Sequence, residues 1–452
     1  MSYSSFTPYL EQTLLYIVKG LNTSNLVINN MYNGKYIYTL NRYKDMLIDA
    51  TKDLNIEPSL IDEFLLKLIN TEYSPDIATR IQEIEAIPLI EQKTPEWFKQ
   101  RETMISASDA GYFLKKCGVA RAIDTLKIKI GLKSYVNSNA PPLMHGNTYE
   151  DTARAIYESR NGVSVTEYGI LSSPTPCIGA SPDGIVTKCH KDTYECQAKF
   201  GRLLEIKNPY SREIDNTVKP EYMIQILQQQ YTTGLPVCDF VETTIVDANC
   251  NTTNSNYKPY MNLAEMLEDT LDTSRPGWES RIKNKNIPMQ NLNKFGNEKG
   301  LLVWYRKRIT EDDIRNKYVM YPLTMPYETQ IIEKWIVDVN SVLWADGYTN
   351  VATKYWRLDV YSEKTVLYDQ TKYEGEYVPQ LCKVWDVITN CNELKKRGGD
   401  IQLYVNELDS QPDSPFFNDN KRKKKETKTK DTTPKDTTVF SFKPNKDIEL
   451  DF

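Results

Sequence analysis

Two short segments carry the strongest structural signal in this chain, Ser181-Pro182-Asp183-Gly184 and Leu204-Glu205-Ile206-Lys207. The second has the alternation of a β-strand, and the first follows an apolar, strand-like run. Because side chains on a strand alternate between its two faces, Glu205 and Lys207 point the same way while Leu204 and Ile206 pack into the layer behind. The two segments therefore predict that two carboxylates and one lysine meet at one place.

This combination suits the binding of a hard divalent cation. Oxygen-only ligation favours Mg²⁺ or Mn²⁺, and one or two such ions can activate the water that attacks a phosphodiester. We expect Asp183 and Glu205 to be the central ligands, with the backbone carbonyl of Ile206 as an additional one. Lys207 is expected to orient or deprotonate the water, and Glu150 is a candidate outer carboxylate. Taken singly, the patterns have ordinary alternatives, namely a Pro-Asp-Gly turn and a solvated strand face.

The length and composition of the chain limit its class. A chain of 452 residues is longer than a single hydrophobic core usually supports, so one large domain with additions, or two domains, is expected. The 40% hydrophobic content can bury a sizeable core, and no 18-residue apolar span or secretory signal is visible. Eight cysteines without dense spacing favour a reducing compartment. We therefore predict an intracellular protein that is not secreted and has no membrane partner.

The two ends of the chain differ from its middle. Residues 1–92 show apolar positions at helical spacing, such as Phe64 and Leu68, and predict an N-terminal helical accessory region. Residues 411–452 contain Lys421-Arg422-Lys423-Lys424-Lys425 and an acidic, hydrophobic end, which together predict a disordered basic tail. This tail is a solvated segment, a nuclear localisation signal or an anchor for phosphates.

Residues 93–250 combine helical and strand patterns and form the expected core. Thr94 and Pro95 predict a helix start, and another helix is expected to open at His145. Strands are expected over 169–172, 177–186 and 202–207, and a helix over 221–233 that ends at Gly234. This alternation predicts a small α/β sandwich.

Five ordered blocks of this region resemble the lambda-exonuclease (YqaJ) branch of the PD-(D/E)xK nucleases. The blocks are Trp97-x3-Arg101 with Ile105-Ser106-Ala107-Ser108, His145-Gly146-x3-Glu150, Gly179-Ala180-Ser181-Pro182-Asp183-Gly184, Leu204-Glu205-Ile206-Lys207 and Tyr222-Met223-Ile224-Gln225. The resemblance implies a restriction-endonuclease-like α/β (α+β) core, in which helices flank a central mixed β-sheet. It also implies that the chain comes from a large DNA virus, in which case it acts in the host cytoplasm or nucleus.

The resemblance implies a role for each matched polar residue of the centre. Asp183, Glu205 and Lys207 match the catalytic core of the family. Glu150 matches a helix carboxylate that assists metal binding, and Gln225 matches the polar residue of the helix behind the site.

A second group of matched residues concerns the end of the substrate. Arg101 and Ser108 match positions that receive the 5′-terminal phosphate of the strand being degraded. A guanidinium and a hydroxyl are suitable donors for phosphate oxygens. An ordinary surface salt bridge is the alternative for Arg101.

The activity implied is that of a metal-dependent DNA exonuclease, which degrades double-stranded DNA ends 5′→3′ in recombination, repair or replication. A single-strand annealing protein and a homo-oligomer are the partners implied besides DNA. Residues 251–410 look like the extension that completes the nuclease domain in viral members, and its aromatic residues belong to the core or stack on single-stranded bases. An endonuclease or RNA nuclease on the same fold, or an inactive nucleic-acid-binding protein, remains open.

Overall fold

A computed structural model gives the architecture of the chain. It describes residues 10, 12–15, 40–54, 56–68, 74–90, 92, 94–133, 140–215, 217–248, 258–269, 298–310 and 314–417. The basic tail predicted for 411–452 lies largely outside these residues, including its lysine-rich run and its acidic end. No helix within the described ranges has the length and apolar character needed to cross a membrane.

Ten strands form two sheets among the described residues. They are β1 (Ile105–Ser106), β2 (Val163–Thr166), β3 (Leu171–Ser172), β4 (Ile178–Ala180), β5 (Gly184–Cys189), β6 (Leu203–Lys207), β7 (Val237–Val246), β8 (Lys299–Arg308), β9 (Ile314–Met320) and β10 (Thr349–Leu367). The large sheet has the order β2-β5-β6-β7-β10-β8-β9, and the small one has the order β1-β4-β3. In the large sheet β6 and β7 are parallel and the other neighbours are antiparallel, so the sheet is mixed.

Helices lie on both faces of the large sheet. They are α1 (Leu40–Thr51), α2 (Pro58–Leu68), α3 (Ser74–Glu85), α4 (Pro95–Arg101), α5 (Ala107–Phe113), α6 (Val119–Lys129), α7 (Pro141–Asn161), α8 (Tyr194–Gln197), α9 (Pro220–Thr233), α10 (Leu263–Glu268), α11 (Thr329–Ala345), α12 (Gln370–Lys372), α13 (Val378–Lys396) and α14 (Ile401–Glu407). The predicted central mixed β-sheet flanked by helices is confirmed.

The alternation of β6 distributes its side chains between two cores. Leu204 and Ile206 pack with Tyr157 of α7 on one face of the sheet. Leu203 packs on the other face, in a cluster that includes Ile226 of α9 and Phe240 of β7. Because Glu205 has the same parity as Leu203, it too lies on the α9 face. The strand therefore presents its polar residues towards α9.

The N-terminal helices belong to this second core. Leu47, Phe64 and Leu65 are buried in the same cluster as Leu203 and Phe240. Burial of such side chains stabilises the fold by about 1.5–3 kcal/mol each. The region predicted as accessory thus packs directly on the large sheet, while the domain boundaries at residues 92, 250 and 410 stay predictions.

Several predicted element ends are confirmed. Thr94 caps α4, since its side chain accepts a hydrogen bond from the backbone N–H of Trp97, and Pro95 follows it. α9 ends at Gly234, whose φ of 68° lies in the left-handed region that favours glycine.

Two other predicted ends were wrong. The run 177–186 is not one strand, because β4 ends at Ala180 and β5 begins at Gly184 in the other sheet. α7 opens at Pro141 rather than at His145. Proline at the first helical positions has its φ already set for a helix, and this start signal was overlooked.

Candidate active site

The turn between β4 and β5 brings Asp183 next to β6. Gly184 pairs with Leu204 and Ile185 pairs with Leu203, so the first residues of β5 lie beside the strand that carries Glu205. The backbone N–H of Ile206 donates a hydrogen bond to Asp183 Oδ2 at 2.7 Å. A Cβ at Gly184 would collide with the side chain of Val165 on β2, so glycine allows the start of β5 to pack closely against that strand.

Glu205 is held from two sides. It is fully buried, and Gln229 of α9 donates a hydrogen bond to its Oε2 at 2.6 Å. Its Oε1 forms an ion pair with Lys207, whose side chain is 25% exposed. The ammonium nitrogen of Lys207 also lies 5.2 Å from the ring centre of Tyr222, within cation–π range. Lys207 therefore bridges the buried carboxylate and the solvent.

The electrostatics of the cluster show a surplus of negative charge. Burial raises the pKa of Asp183 well above its ordinary value, and the carboxylates of Glu205 and Glu150 raise it further, although Lys207 and the N–H of Ile206 oppose them. Burial lowers the pKa of Lys207, but Glu205 and Asp183 outweigh that effect and leave it raised. One ammonium group thus faces three carboxylates and stays charged.

The oxygen ligands fit a hard cation. Among the described residues, no group of three or more His, Cys, Asp and Glu side chains has the geometry of a metal centre. Metal coordination by Asp183, Glu205 and Glu150 stays a prediction, and the structure places Glu150 near enough to raise the pKa of Asp183. The crowding of carboxylates that raises this pKa is what a divalent cation relieves. Coordination by the carbonyl of Ile206 stays a prediction.

The helix behind the site contributes a glutamine that was not predicted, while the role of Gln225 stays a prediction. Gln225 was matched to the polar residue of this helix, but the hydrogen bond to Glu205 comes from Gln229, one turn farther along α9. Gln225 is half-buried, and its side chain makes no hydrogen bond among the described residues. Gln228, Gln229 and Gln230 follow one another in the sequence, and the structure buries all three side chains fully. Buried polar side chains are nearly always hydrogen-bonded, so this run is the signal that could have indicated Gln229.

The two residues predicted to bind a 5′-phosphate do meet. Arg101 Nη2 donates hydrogen bonds of 2.8 Å to both Ser108 Oγ and Ser106 Oγ. The guanidinium lies 4.5 Å from the ring centre of Trp97, which holds it in place. Two hydroxyls and one guanidinium therefore form a compact group of donors, partly open to solvent.

Two further charged residues in this group were not predicted. Asp109 accepts a 2.7 Å hydrogen bond from Ser106 and lies 3.9 Å from Arg101. Lys129, from the end of α6, lies 3.7 Å from Asp109 and donates a hydrogen bond to the carbonyl of Arg101. Burial lowers the pKa of Lys129, partly offset by Asp109. No sequence pattern could connect Lys129 with Arg101, since they meet only through the packing of α4, α5 and α6.

Comparison with known proteins identifies this region. Residues 96–236 match the family model of the YqaJ-like viral recombinase domain. These residues carry a YqaJ-like domain. The predicted family is thus confirmed for the segment that contains Arg101, Asp183, Glu205 and Lys207.

Individual known proteins match this chain to different extents. An uncharacterized protein of Acanthamoeba polyphaga mimivirus is 31% identical over 329 residues, 69% of this chain and 54% of the relative. The chain therefore spans about half the length of that relative. The crystal structure of an alkaline exonuclease from Laribacter hongkongensis is 31% identical, with 33% of this chain and 74% of that chain covered at a TM-score of 0.27. Its complex with dAMP is 29% identical, with 33% and 73% covered and the same TM-score.

The motif histidine of the YqaJ-like domain has a structural environment. His145 is 7% exposed and packs against the rings of Tyr149 and Tyr210, at 5.0 and 5.6 Å between ring centres. Burial lowers its pKa to about 4. His145 is therefore neutral near pH 7 and is suited to burial between these two rings.

Proposed function

We propose that this chain is a Mg²⁺-dependent DNA exonuclease that hydrolyses the phosphodiester bonds of double-stranded DNA from its ends, in the 5′→3′ direction. The main support is the convergence of Asp183, Glu205 and Lys207 in a half-buried cluster with surplus negative charge. The YqaJ-like domain and its likeness to an alkaline exonuclease support the choice of nuclease chemistry.

The residues of the cluster divide the chemistry between them. Asp183 and Glu205 would hold Mg²⁺, or Mn²⁺ in its place, as one or two ions, with Glu150 and the Ile206 carbonyl as further oxygen ligands. When bound, the cation supplies charge stabilisation for the phosphoryl group and a lower pKa for the attacking water. Lys207 keeps its proton beside Glu205, so its ammonium group orients the water and offsets charge on the phosphate. Gln229 fixes the rotamer of Glu205.

The Arg101 group supports an end-dependent enzyme. A terminal phosphate carries more negative charge than an internal one, and the Arg101 guanidinium and the Ser108 hydroxyl offer donors to its oxygens. Arg101 is already fixed by Ser106, Ser108 and Trp97, so it loses little side-chain entropy when a phosphate binds.

Substrate, polarity and metal can be tested together. Purified protein is incubated with end-labelled linear duplex, closed circular DNA and RNA, with and without Mg²⁺. The proposal expects mononucleotide release from the 5′ end of the linear duplex alone, and only with Mg²⁺. Cleavage of the circle would replace it with an endonuclease, and preferred digestion of RNA with an RNA nuclease. Binding without cleavage of any substrate would indicate an inactive nucleic-acid-binding protein.

Arg101→Ala tests the terminal-phosphate group. Hydrogen bonds to charged groups contribute about 1.5–3 kcal/mol, so we expect the preference for 5′-phosphorylated over 5′-hydroxyl duplex to fall by about 10- to 100-fold. Lys99→Ala is the matched control, because Lys99 is an exposed cation on the same helix. An unchanged ratio of the two digestion rates in Arg101→Ala would remove this role.

We propose three features of the cellular setting by analogy with the family. The enzyme acts in recombination, repair or replication inside the host cell, assembles as a homo-oligomer and works with a single-strand annealing protein. Sedimentation of the full chain and co-purification with a single-strand annealing protein would test the assembly and the partner.

A further inference from the structure

A second surface with nucleic-acid-binding chemistry lies on the hairpin β8–β9, far along the sheet from β6. Cross-strand pairing places Trp304 opposite Tyr318 and Arg306 opposite Asn316. Together with Arg308, which alternation places on the same side, these four residues define what we call the Trp304 face. The indole and phenol rings are stacked, with an interplanar angle of 23° and 6.1 Å between centres.

One asparagine orients the two planar groups of this face. Asn316 Oδ1 accepts hydrogen bonds from Trp304 Nε1 at 3.0 Å and from Arg306 Nε at 3.4 Å. The guanidinium carbon of Arg306 lies 4.8 Å from the centre of the Trp304 ring. Tyr318, Trp304 and Arg306 thus form a row of flat groups with a shared polar anchor.

The core of the hairpin lies on its opposite side. Tyr305 is fully buried and packs in a cluster with Ile332 and Leu343 of α11. On the Trp304 side the buried part ends at Leu302, which packs with Tyr149 of α7. Trp304 and Arg306 are only partly buried, and Arg308 and Asn316 are exposed. The face is therefore open to a ligand from Trp304 outwards.

The charge of the Trp304 face is positive. Among the described residues, neither Arg306 nor Arg308 forms an ion pair with a carboxylate. The Trp304 face consists of residues of β8 and β9 and includes none of the acidic run Glu311-Asp312-Asp313, which lies outside the described residues.

We propose that the Trp304 face binds single-stranded nucleic acid. Aromatic rings and guanidinium planes stack on unpaired bases, and unneutralised arginines attract the phosphates. A duplex keeps its bases stacked internally and would gain only the phosphate contacts. A 5′→3′ exonuclease leaves one strand of the duplex unpaired, so the ligand would be the undigested strand, an assignment that rests on the proposed function.

Binding can be measured without hydrolysis. The full chain is titrated with labelled oligothymidylate, oligouridylate and blunt duplex in the absence of divalent cations, with fluorescence anisotropy as the readout. Because stacking on one base contributes about 1–3 kcal/mol, Trp304→Ala should weaken oligothymidylate binding by about tenfold, and Trp304→Phe should restore most of it. Arg306→Gln should weaken it and reduce its salt dependence. The loss of duplex affinity should be small in the two Trp304 variants, which keep the phosphate contacts.

The matched control is a pair of changes on the reverse side. Trp344→Ala removes a tryptophan that is 59% exposed on α11, and Lys334→Gln removes an exposed cation from the same helix. Both should bind oligothymidylate like the wild type. Equal binding by Trp304→Ala and Trp344→Ala would overturn the proposal and leave the stacked pair a device that stabilises the hairpin. Preferred binding of oligouridylate would replace the DNA strand with RNA.

The outcome is separate from that of the nuclease proposal. A chain that binds oligothymidylate through Trp304 but digests nothing would contradict the proposed function and keep this surface. If Trp304→Ala has a lower melting temperature than the wild type, its weaker binding no longer isolates the stacking contact. The binding of Arg306→Gln and Trp304→Phe then tests the proposal, since both variants keep the hairpin packing on the Tyr305 side.

Discussion

The large sheet carries two clusters of carboxylates and cations on its opposite faces. On the α7 face, Asp239 of β7 is fully buried and bonded to Lys199 at 2.7 Å, Arg202 at 2.9 Å and the Tyr157 hydroxyl at 2.8 Å. Burial raises the pKa of Asp239, but Arg202 and Lys199 outweigh this and lower it. On the α9 face, Asp183 has its pKa raised by burial and by other carboxylates. Similar residue types therefore form a neutralised cluster on one face. On the other face they form a cluster with too little positive charge for its carboxylates, which we call the charge-deficient cluster.

This difference teaches how to distinguish a structural ion cluster from a site. A buried carboxylate with two cations is satisfied and has no need of a ligand, because its desolvation is offset by its partners. A carboxylate beside two others and one lysine is stabilised when a cation arrives. The balance of charge, rather than the presence of Asp, Glu and Lys, is what indicates function.

The largest expected effect is on activity at the charge-deficient cluster. Asp183→Asn keeps the size of the side chain and removes one ligand charge, and Lys207→Ala removes the charged partner of Glu205. We expect Mg²⁺-dependent digestion to fall by at least about 10²-fold in each variant, while the free energy of unfolding of Asp183→Asn stays at or above the wild-type value. Digestion assays and urea unfolding measure the two quantities. Wild-type rates in either variant would contradict the assignment.

The reverse pattern is expected at the neutralised cluster. Asp239→Asn removes the carboxylate shared by the buried Lys199 and Arg202, although Lys199 keeps its ion pair with Glu363, and should lower the free energy of unfolding by about 3–5 kcal/mol. Thr365→Val is the control, since it removes no charge but only the hydroxyl that donates to Asp239 at 2.9 Å and accepts from Arg202 at 3.2 Å, and should cost less, about 1.5–3 kcal/mol.

The pH dependence gives the Asp239 prediction a second test. The folded-state pKa of Asp239 is depressed, so its contribution to stability is present above the unfolded value of about 3.9 and is lost as pH falls towards the folded value. The difference between wild type and Asp239→Asn should shrink in urea unfolding between pH 7 and pH 3. A difference that stays constant over this range would show that the charge of Asp239 is not what stabilises the fold.

A smaller effect separates the clusters by metal binding. A ligand that binds only the folded state stabilises it by about 1.4 kcal/mol at ten times its dissociation constant. Addition of Mg²⁺ or Mn²⁺ alone should therefore raise the melting temperature of the wild type but not that of Asp183→Asn. Thr365→Val, altered only at the neutralised cluster, should respond like the wild type. Equal shifts in all three proteins would place the ion elsewhere.

Local patterns in the sequence predict the elements around the site but not how they divide between sheets. The alternation over Leu203–Lys207 and the glycine after α9 were sufficient for β6 and α9. The break at Pro182 was not recognised, although proline lacks the N–H that continues a ladder. Only the three-dimensional pairing shows that β4 leaves one sheet and β5 starts in the other.

The site was predicted in the same partial way. Alternation placed Glu205 and Lys207 together, the segment Ser181-Pro182-Asp183-Gly184 supplied the second carboxylate, and the family resemblance added Arg101. The neutralising residues were not found, because Lys199 and Arg202 reach Asp239 across strands and no spacing in the sequence encodes that contact. Charge balance is thus a property of packing, which a motif cannot express.

The smallest expected effect distinguishes two glutamines one turn apart on α9. Gln225 and Gln229 lie on one side of the helix. The position of Glu205 along the helix axis decides which of the two side chains reaches its carboxylate. Gln229→Ala removes the donor to Glu205 Oε2 and leaves this buried oxygen without that bond, so we expect digestion to slow by about 10- to 100-fold. Gln225→Ala should keep nearly wild-type rates, since its side chain makes no hydrogen bond among the described residues. Comparison of the two rates at saturating Mg²⁺ tests the assignment. A larger loss in Gln225→Ala would show that the substrate complex, and not the hold on Glu205, determines which glutamine is needed.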